Sequence, residues 1–180
     1  MGLRDRTRLK DYHCFFVTTT CYKWYDLLED DTCISLVYES FLFLNQKYDT
    51  SIVAFVLMPN HIHLILYFNG ENYLSEYMRD FKKYTSVQIR RILENKHGSE
   101  EIEKLRYDLR EQKFKVWMDR FDDVVIKSTR VLLIKLNYIH MSPVNKGWVS
   151  RPAEYPDSSA GYYDRGAKPR VPILDFGDII

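Results

Sequence analysis

In the run LMPNHIHLIL, His61 and His63 stand two residues apart among β-branched and large apolar residues. On a β-strand this spacing sends both imidazoles to one face and Ile62 to the other, within reach of a single metal ion. Imidazole pairs suit several divalent ions, and a site acting on phosphates also accepts Mg²⁺ or Mn²⁺ with waters completing the shell. The same pattern describes two polar residues alternating with apolar ones on a half-exposed strand, so the spacing alone leaves both readings open. Context favours the metal: the pair opens a long apolar strand directly after a Pro-Asn turn, with another hydrophobic run before it. The spacing supplies no third protein ligand.

A second group with chemical potential is Tyr138 in VLLIKLNYIHMSPVNKGW. On a helix its phenol shares a face with Ile134 and Ser142, with Lys135 one turn before it. A phenol attacks phosphorus only when something activates it, and the chain holds 14 tyrosines, most of which must be packing residues. Spacing does not single this one out.

The elements that must position these groups are legible from periodicity. Residues 12–22 (YHCFFVTTTCY) are aromatic and β-branched, which predicts a strand. From about 26 to 48, Leu27, Leu28, Cys33, Leu36, Val37, Phe41 and Leu44 recur at helical steps. SIVAFVLM and HIHLILYF, separated by Pro59-Asn60, read as a hairpin. A second helix is predicted from Leu74 to Leu93, and the charged run KHGSEEIEKLRYDLREQ as an excursion. KFKVWMDRF then supplies a fourth strand, and a last helix, capped by Ser128, stops at Ser142 before Pro143. The order β-α-β-β-α-β, followed by a helix that carries the tyrosine, predicts an α+β fold with a ferredoxin-like antiparallel sheet.

At 180 residues, 46% hydrophobic and 15% aromatic, the chain has the size and core of one domain spanning 1–180, with a core of about 12–142 and a turn-rich tail of about 143–180. A net charge of +1 means that any nucleic-acid surface must come from local clustering, as in the lead-in with Arg4, Arg6, Arg8 and Lys10. Cys14, Cys21 and Cys33 form no CxxC pair and read as reduced packing residues of a cytoplasmic protein. No apolar run long enough for a membrane span is present, so no membrane partner is expected.

Together, VLMPNHIHLIL, FKKYTS, RFDD, YIHMSPVNKGWV and EYPDSSAGYY resemble the ordered motifs of the single-tyrosine HUH transposases, in particular relatives associated with repetitive extragenic palindromes. The resemblance runs from about Tyr12 to Tyr163. It implies a ferredoxin-like palm with metal ligands His61 and His63 and nucleophile Tyr138. The implied substrate is single-stranded DNA with hairpin or palindromic ends, cut to leave a 5′-phosphotyrosine and a free 3′-hydroxyl. Some members are dimers and others monomers, so a homodimer is among the implied assemblies. Where the family commonly carries Asn or Gln one turn after the tyrosine, this chain has Ser142, a shorter and poorer candidate for the third ligand. His140 lies about 200° around the helix from Tyr138 and is not promoted to that role.

On this reading Arg79, Lys82 and Lys83 of the second helix are candidate phosphate contacts and Tyr84 a candidate stacking platform, although such residues are more often just the solvated face of a helix. Two rival readings need less chemistry. A non-catalytic ferredoxin-like nucleic-acid-binding module, or a domesticated inactive relative, needs neither metal nor nucleophile. A hydrolase of small phosphate esters would use the histidines and leave the tyrosine motif idle.

Overall fold

A computed structural model describes residues 11–108 and 113–179; the basic lead-in lies outside these residues. Strand β1 (Cys14–Thr20) leads through a loop to α1 (Asp31–Lys47), whose N-cap Asp30 accepts the Thr32 N–H at 2.7 Å. Strands β2 (Thr50–Met58) and β3 (His61–Phe68) form the expected hairpin, with Met58 opposite His61 across Pro59-Asn60. Helix α2 (Leu74–His97) runs a turn past the predicted end and stops at Gly98, whose φ of 79° suits glycine. After α3 (Ser99–Glu103), β4 (Arg106–Asp108) and β5 (Lys113–Phe114) come β6 (Asp122–Val125), α4 (Thr129–Asn145) and α5 (Ala160–Arg165).

The main sheet is four-stranded and antiparallel, in the order β2-β3-β1-β6, as a ferredoxin-like arrangement requires. Its inner strands are buried almost without interruption because both faces are covered. Phe15 and Val17 join Ile62, Leu64 and Leu66 in a core with α1 and α2. Phe16, Val56 and Ile65 face the other way and pack under Leu132, Leu136 and Ile139 of α4. The histidine face is therefore the α4 face.

Three expectations need correction. The fourth strand is Asp122–Val125, not KFKVWMDRF: Lys113–Phe114 pairs with β4 in a small ribbon, and 115–121 folds back through Tyr22 N–H to Val116 O (2.8 Å) and Met118 N–H to Thr20 O (2.9 Å). An edge strand beginning with two aspartates escapes propensity, although charge on an edge is how sheets discourage further pairing. Helix α4 continues to Asn145 with Pro143 inside it. Proline disfavours the α conformation in the residue before it, but Ser142 stays helical and its hydroxyl donates to Tyr138 O at 2.8 Å. The buried Pro143 ring and the closing bond from Trp148 N–H to Pro143 O (3.1 Å) hold the last turn.

The third correction concerns the tail, which is integral to the sheet edge rather than appended. Leu57 N–H donates to Asp157 O (2.8 Å), Ser159 N–H to Phe55 O (3.0 Å) and Leu174 N–H to Ile52 O (2.9 Å), so the tail satisfies the outer rim of β2. The fully buried Ser159 hydroxyl accepts the Phe55 N–H at 3.0 Å and meets His140 Nε2 at 2.9 Å, tying tail, edge strand and α4 together. Ser159→Ala leaves the Phe55 N–H buried without that partner, and urea denaturation is expected to show a loss of about 1–3 kcal/mol.

Candidate active site

His61 and His63 enter the site from the first turn of β3, where the register places them opposite Thr20 and Thr18 of β1. Direct opposition across an antiparallel pair puts partners on one face, and the Thr18 hydroxyl lies 2.8 Å from His63 Nδ1. On the other ring, His61 Nδ1 lies 2.7 Å from Asn60 Oδ1, and the Asn60 amide is itself held by donating to Asp26 Oδ1 at 2.7 Å. With Nδ1 of His61 facing the Asn60 oxygen and Nδ1 of His63 engaged with the Thr18 hydroxyl, Nε2 is the ring nitrogen of each that remains for another partner.

The two ring centroids are 4.7 Å apart and steeply inclined, at 73°. Rings this close fit a shared ion at metal–nitrogen distances of about 2.0–2.1 Å. Both rings are largely buried, with relative exposures of 8% for His61 and 4% for His63. Burial, helped by the charge of Lys146, pushes His61 down to about 4. Burial, then His61 and Lys135, pushes His63 to about 3. Both imidazoles are therefore neutral at physiological pH, the form that binds a metal. Among the described residues no third His, Cys, Asp or Glu joins them in a ligand cluster.

Tyr138 projects from α4 onto the same face. Its ring centroid lies 5.1 Å from that of His63 and 5.8 Å from Phe16, and the residue is 48% exposed, so the phenol is open to solvent beside a buried imidazole. Ser142 sits one turn later with its hydroxyl bonded back to Tyr138 O. His140 points elsewhere, to Ser159 and the ring of Tyr163.

The α2 candidates are not brought to this cluster. Helix α2 covers the opposite face of the sheet, and Lys82 is spent internally: its ammonium donates to Met118 O (2.8 Å) and Arg120 O (2.9 Å), and burial lowers it to about 8. Arg79 pairs with Asp80 at 3.1 Å, whereas Lys83 and Tyr84 line an apolar groove between α1 and α2. Residues that sequence reasoning missed are Thr18, Asn60, Phe16, Trp24 and Lys146. Trp24 sits edge-on over His61 at 5.8 Å, from a backbone where both Lys23 and Trp24 hold positive φ (53° and 60°). Two adjacent non-glycine residues in that region are a strained feature of the kind functional sites retain. Only Asn60 had a legible signal, as the turn residue next to the pair.

The family model described as IS200-like transposase matches residues 8–140. A Haemophilus influenzae protein named as a REP-associated tyrosine transposase is 28% identical over 134 residues, which cover 73% of this chain and 69% of that protein. A solved REP-associated tyrosine transposase bound to a REP hairpin superposes with a TM-score of 0.67 at 20% identity, covering 97% of this chain and 93% of its own, a likeness of fold. A transposase structure from Deinococcus radiodurans reaches a TM-score of 0.47 at 12% identity over 71% of this chain and 88% of its own, too low to support an argument.

The histidine shifts predict how stability depends on pH. His61, His63 and His140 (about 4) are all depressed on folding, so below an unfolded value of about 6.5 the unfolded chain binds the extra protons. Their contribution is complete above pH 6.5 and is lost as pH falls toward 3–4. Urea denaturation in EDTA is expected to show about 2–3 kcal/mol less contribution from His63 at pH 4.5 than at pH 7. His63→Gln should flatten the curve by that amount; an equally steep variant would mean that His63 is not held neutral.

Proposed function

The chain belongs to the IS200-like transposase family, and from that premise we propose that it cleaves and rejoins hairpin-bearing single-stranded DNA at a site composed of His61, His63 and Tyr138. The observation that carries this reading is the Tyr138 ring 5.1 Å from His63, with both imidazoles oriented through Nδ1 and neutral. Two oriented imidazoles with Nε2 remaining fit a divalent ion, Mg²⁺ or Mn²⁺, and the motif offers Ser142, one turn after Tyr138, for a further position. When bound, such an ion supplies positive charge against the charge that grows on the phosphate oxygens.

The chain's own groups do the rest. Tyr138 Oη attacks phosphorus, the P–O3′ bond breaks, and the departing 3′-oxygen takes up a proton while the phenol proton passes to water. The product is a 5′-phosphotyrosine and a free 3′-hydroxyl. Because the phosphotyrosine retains a phosphodiester-like bond, a second 3′-hydroxyl reverses the step and joins new strands without ATP. The buried floor formed by Phe16, His63 and Ile65 limits water on one side of the tyrosine, while its exposed side leaves room for a polymer.

A binding-only relative is the second reading, and Ser142 favours it. Its hydroxyl is shorter than the Asn or Gln side chain expected there and already donates to the Tyr138 carbonyl.

Incubation with hairpin-bearing single-stranded DNA and Mn²⁺ is expected to give a denaturation-resistant adduct whose tryptic peptide contains Tyr138. Tyr138→Phe should bind the DNA without forming it, and an undiminished adduct in that variant would rule the assignment out. Ser142→Asn should tighten Mn²⁺ binding by calorimetry roughly tenfold, the lower end of what supporting groups contribute at metal sites; an unchanged affinity would remove Ser142 from the ligand position.

A further inference from the structure

On its α4 side, the charge around the imidazole pair is one-sided; the nearby carboxylate of Asp26 lies on the turn side and is held by Asn60. Beyond the rings themselves, the charges that act on them are Lys146 on His61 and Lys135 on His63, with no carboxylate among them. Helix α4 contains no Asp or Glu from Thr129 to Asn145. Several lysines elsewhere are spent: Lys47 on Asp80, Lys96 on Asp30, Lys115 on Asp119, and Lys82 on two backbone carbonyls. Among the described residues neither Lys135 nor Lys146 has an ion-pair partner.

Their placement is regular. Eleven residues separate them, which on a helix returns to within about 20° of the same line and advances about 16 Å. Tyr138 and Ser142 fall between them on that stripe. The Lys135 ammonium is held over the Phe16 ring at 4.4 Å, with the Tyr138 centroid 5.7 Å away, so it sits beside the phenol on the sheet side. Lys146, the C-cap of α4, is exposed at the other end, toward His61. Two cations on one helix stripe that carries no carboxylate leave positive charge uncompensated, and a polyanion threaded along the stripe would neutralise it.

We propose that Lys135 and Lys146 are phosphate-binding residues of the DNA site, each gripping a different backbone phosphate so that the phosphodiester between them is presented to Tyr138. This rests on the reading of His61, His63 and Tyr138 as the cleavage site. With about 16 Å of helix between their backbone positions and the Lys135 ammonium held over Phe16, the pair is suited to act as a two-point track. Direct phosphate contact is sequence-independent and releases counterions. Lys146 as a helix-dipole partner and Lys135 as an aromatic packing group are structural roles that would leave that signature unchanged.

Binding of fluorescein-labelled oligothymidine, followed by anisotropy in EDTA across a salt series, separates these roles. On single strands each phosphate contact contributes about 0.7 to the slope of log affinity against log salt. Lys135→Gln and Lys146→Gln are each expected to lower the slope by about 0.7, and the double variant by about 1.4. Lys135→Arg should restore the parental slope, and Lys96→Gln, on the opposite layer, should not change it. Slopes unchanged in both Gln variants would overturn the proposal even if the Tyr138 adduct forms. Reduced slopes without any adduct would sustain the track and count against the chemistry. A parent protein that shows no salt-dependent binding would overturn both.

Discussion

Two imidazoles side by side on a buried sheet face are the constraint from which much of this molecule follows. A histidine with water around it gains a proton near neutrality and turns freely; His61 and His63 do neither, because burial removes the water and Asn60 and Thr18 hold one nitrogen of each ring. That arrangement needs a strand on one flank to supply Thr18, a tight turn to supply Asn60, an aspartate to fix the turn amide, and a helix above to keep solvent out. The β1–β3 register, the Pro59-Asn60 hairpin, Asp26 and α4 meet those needs in turn.

The same constraint explains the division of labour between the sheet's faces. The α1–α2 face is a conventional apolar core of phenylalanines and aliphatics, with the Trp117 indole donating to Thr85 as a buried polar contact. The α4 face is mixed: its inner half is apolar, and toward the start of β3 it turns polar and cationic. The larger apolar core thus lies on one side, while the other combines a smaller core with imidazoles, an exposed phenol and lysines without ion-pair partners.

The sequence disclosed whatever had a period or a turn. The hairpin bearing His61 and His63, the two amphipathic helices and the tyrosine helix were all readable because apolar spacing and Pro-Asn chemistry are local signals. Asp122–Val125 was not, since a four-residue edge strand takes its identity from its neighbour Phe15–Thr18 rather than from its own residues. Nor was the role of the tail: what makes Ser159 matter is Phe55, far away in sequence. At the site, the pair and the tyrosine could be named from motifs, but Thr18 and Trp24 become partners only when a register and a positive-φ turn deliver them. Lys82, a candidate phosphate contact from its place on α2, donates to Met118 O and Arg120 O, a contact that helical spacing could not show because it depends on a loop folding back.

The hydrogen bond between Ser159 and Phe55 spans 104 residues, which has a consequence for the chain as it is made. Residues that pair early in synthesis, β1 through β3, can assemble their sheet while the tail is still inside the ribosome. At about 5–20 residues per second, β2 waits on the order of 5–20 seconds before the segment that covers its rim emerges. Throughout that interval the nascent sheet presents a bare, strongly apolar edge, the most adhesive surface a β-protein can offer to another chain. The vulnerable period of this protein is therefore set by translation speed over the hundred or so codons between β2 and the tail, and slow codons there would lengthen it.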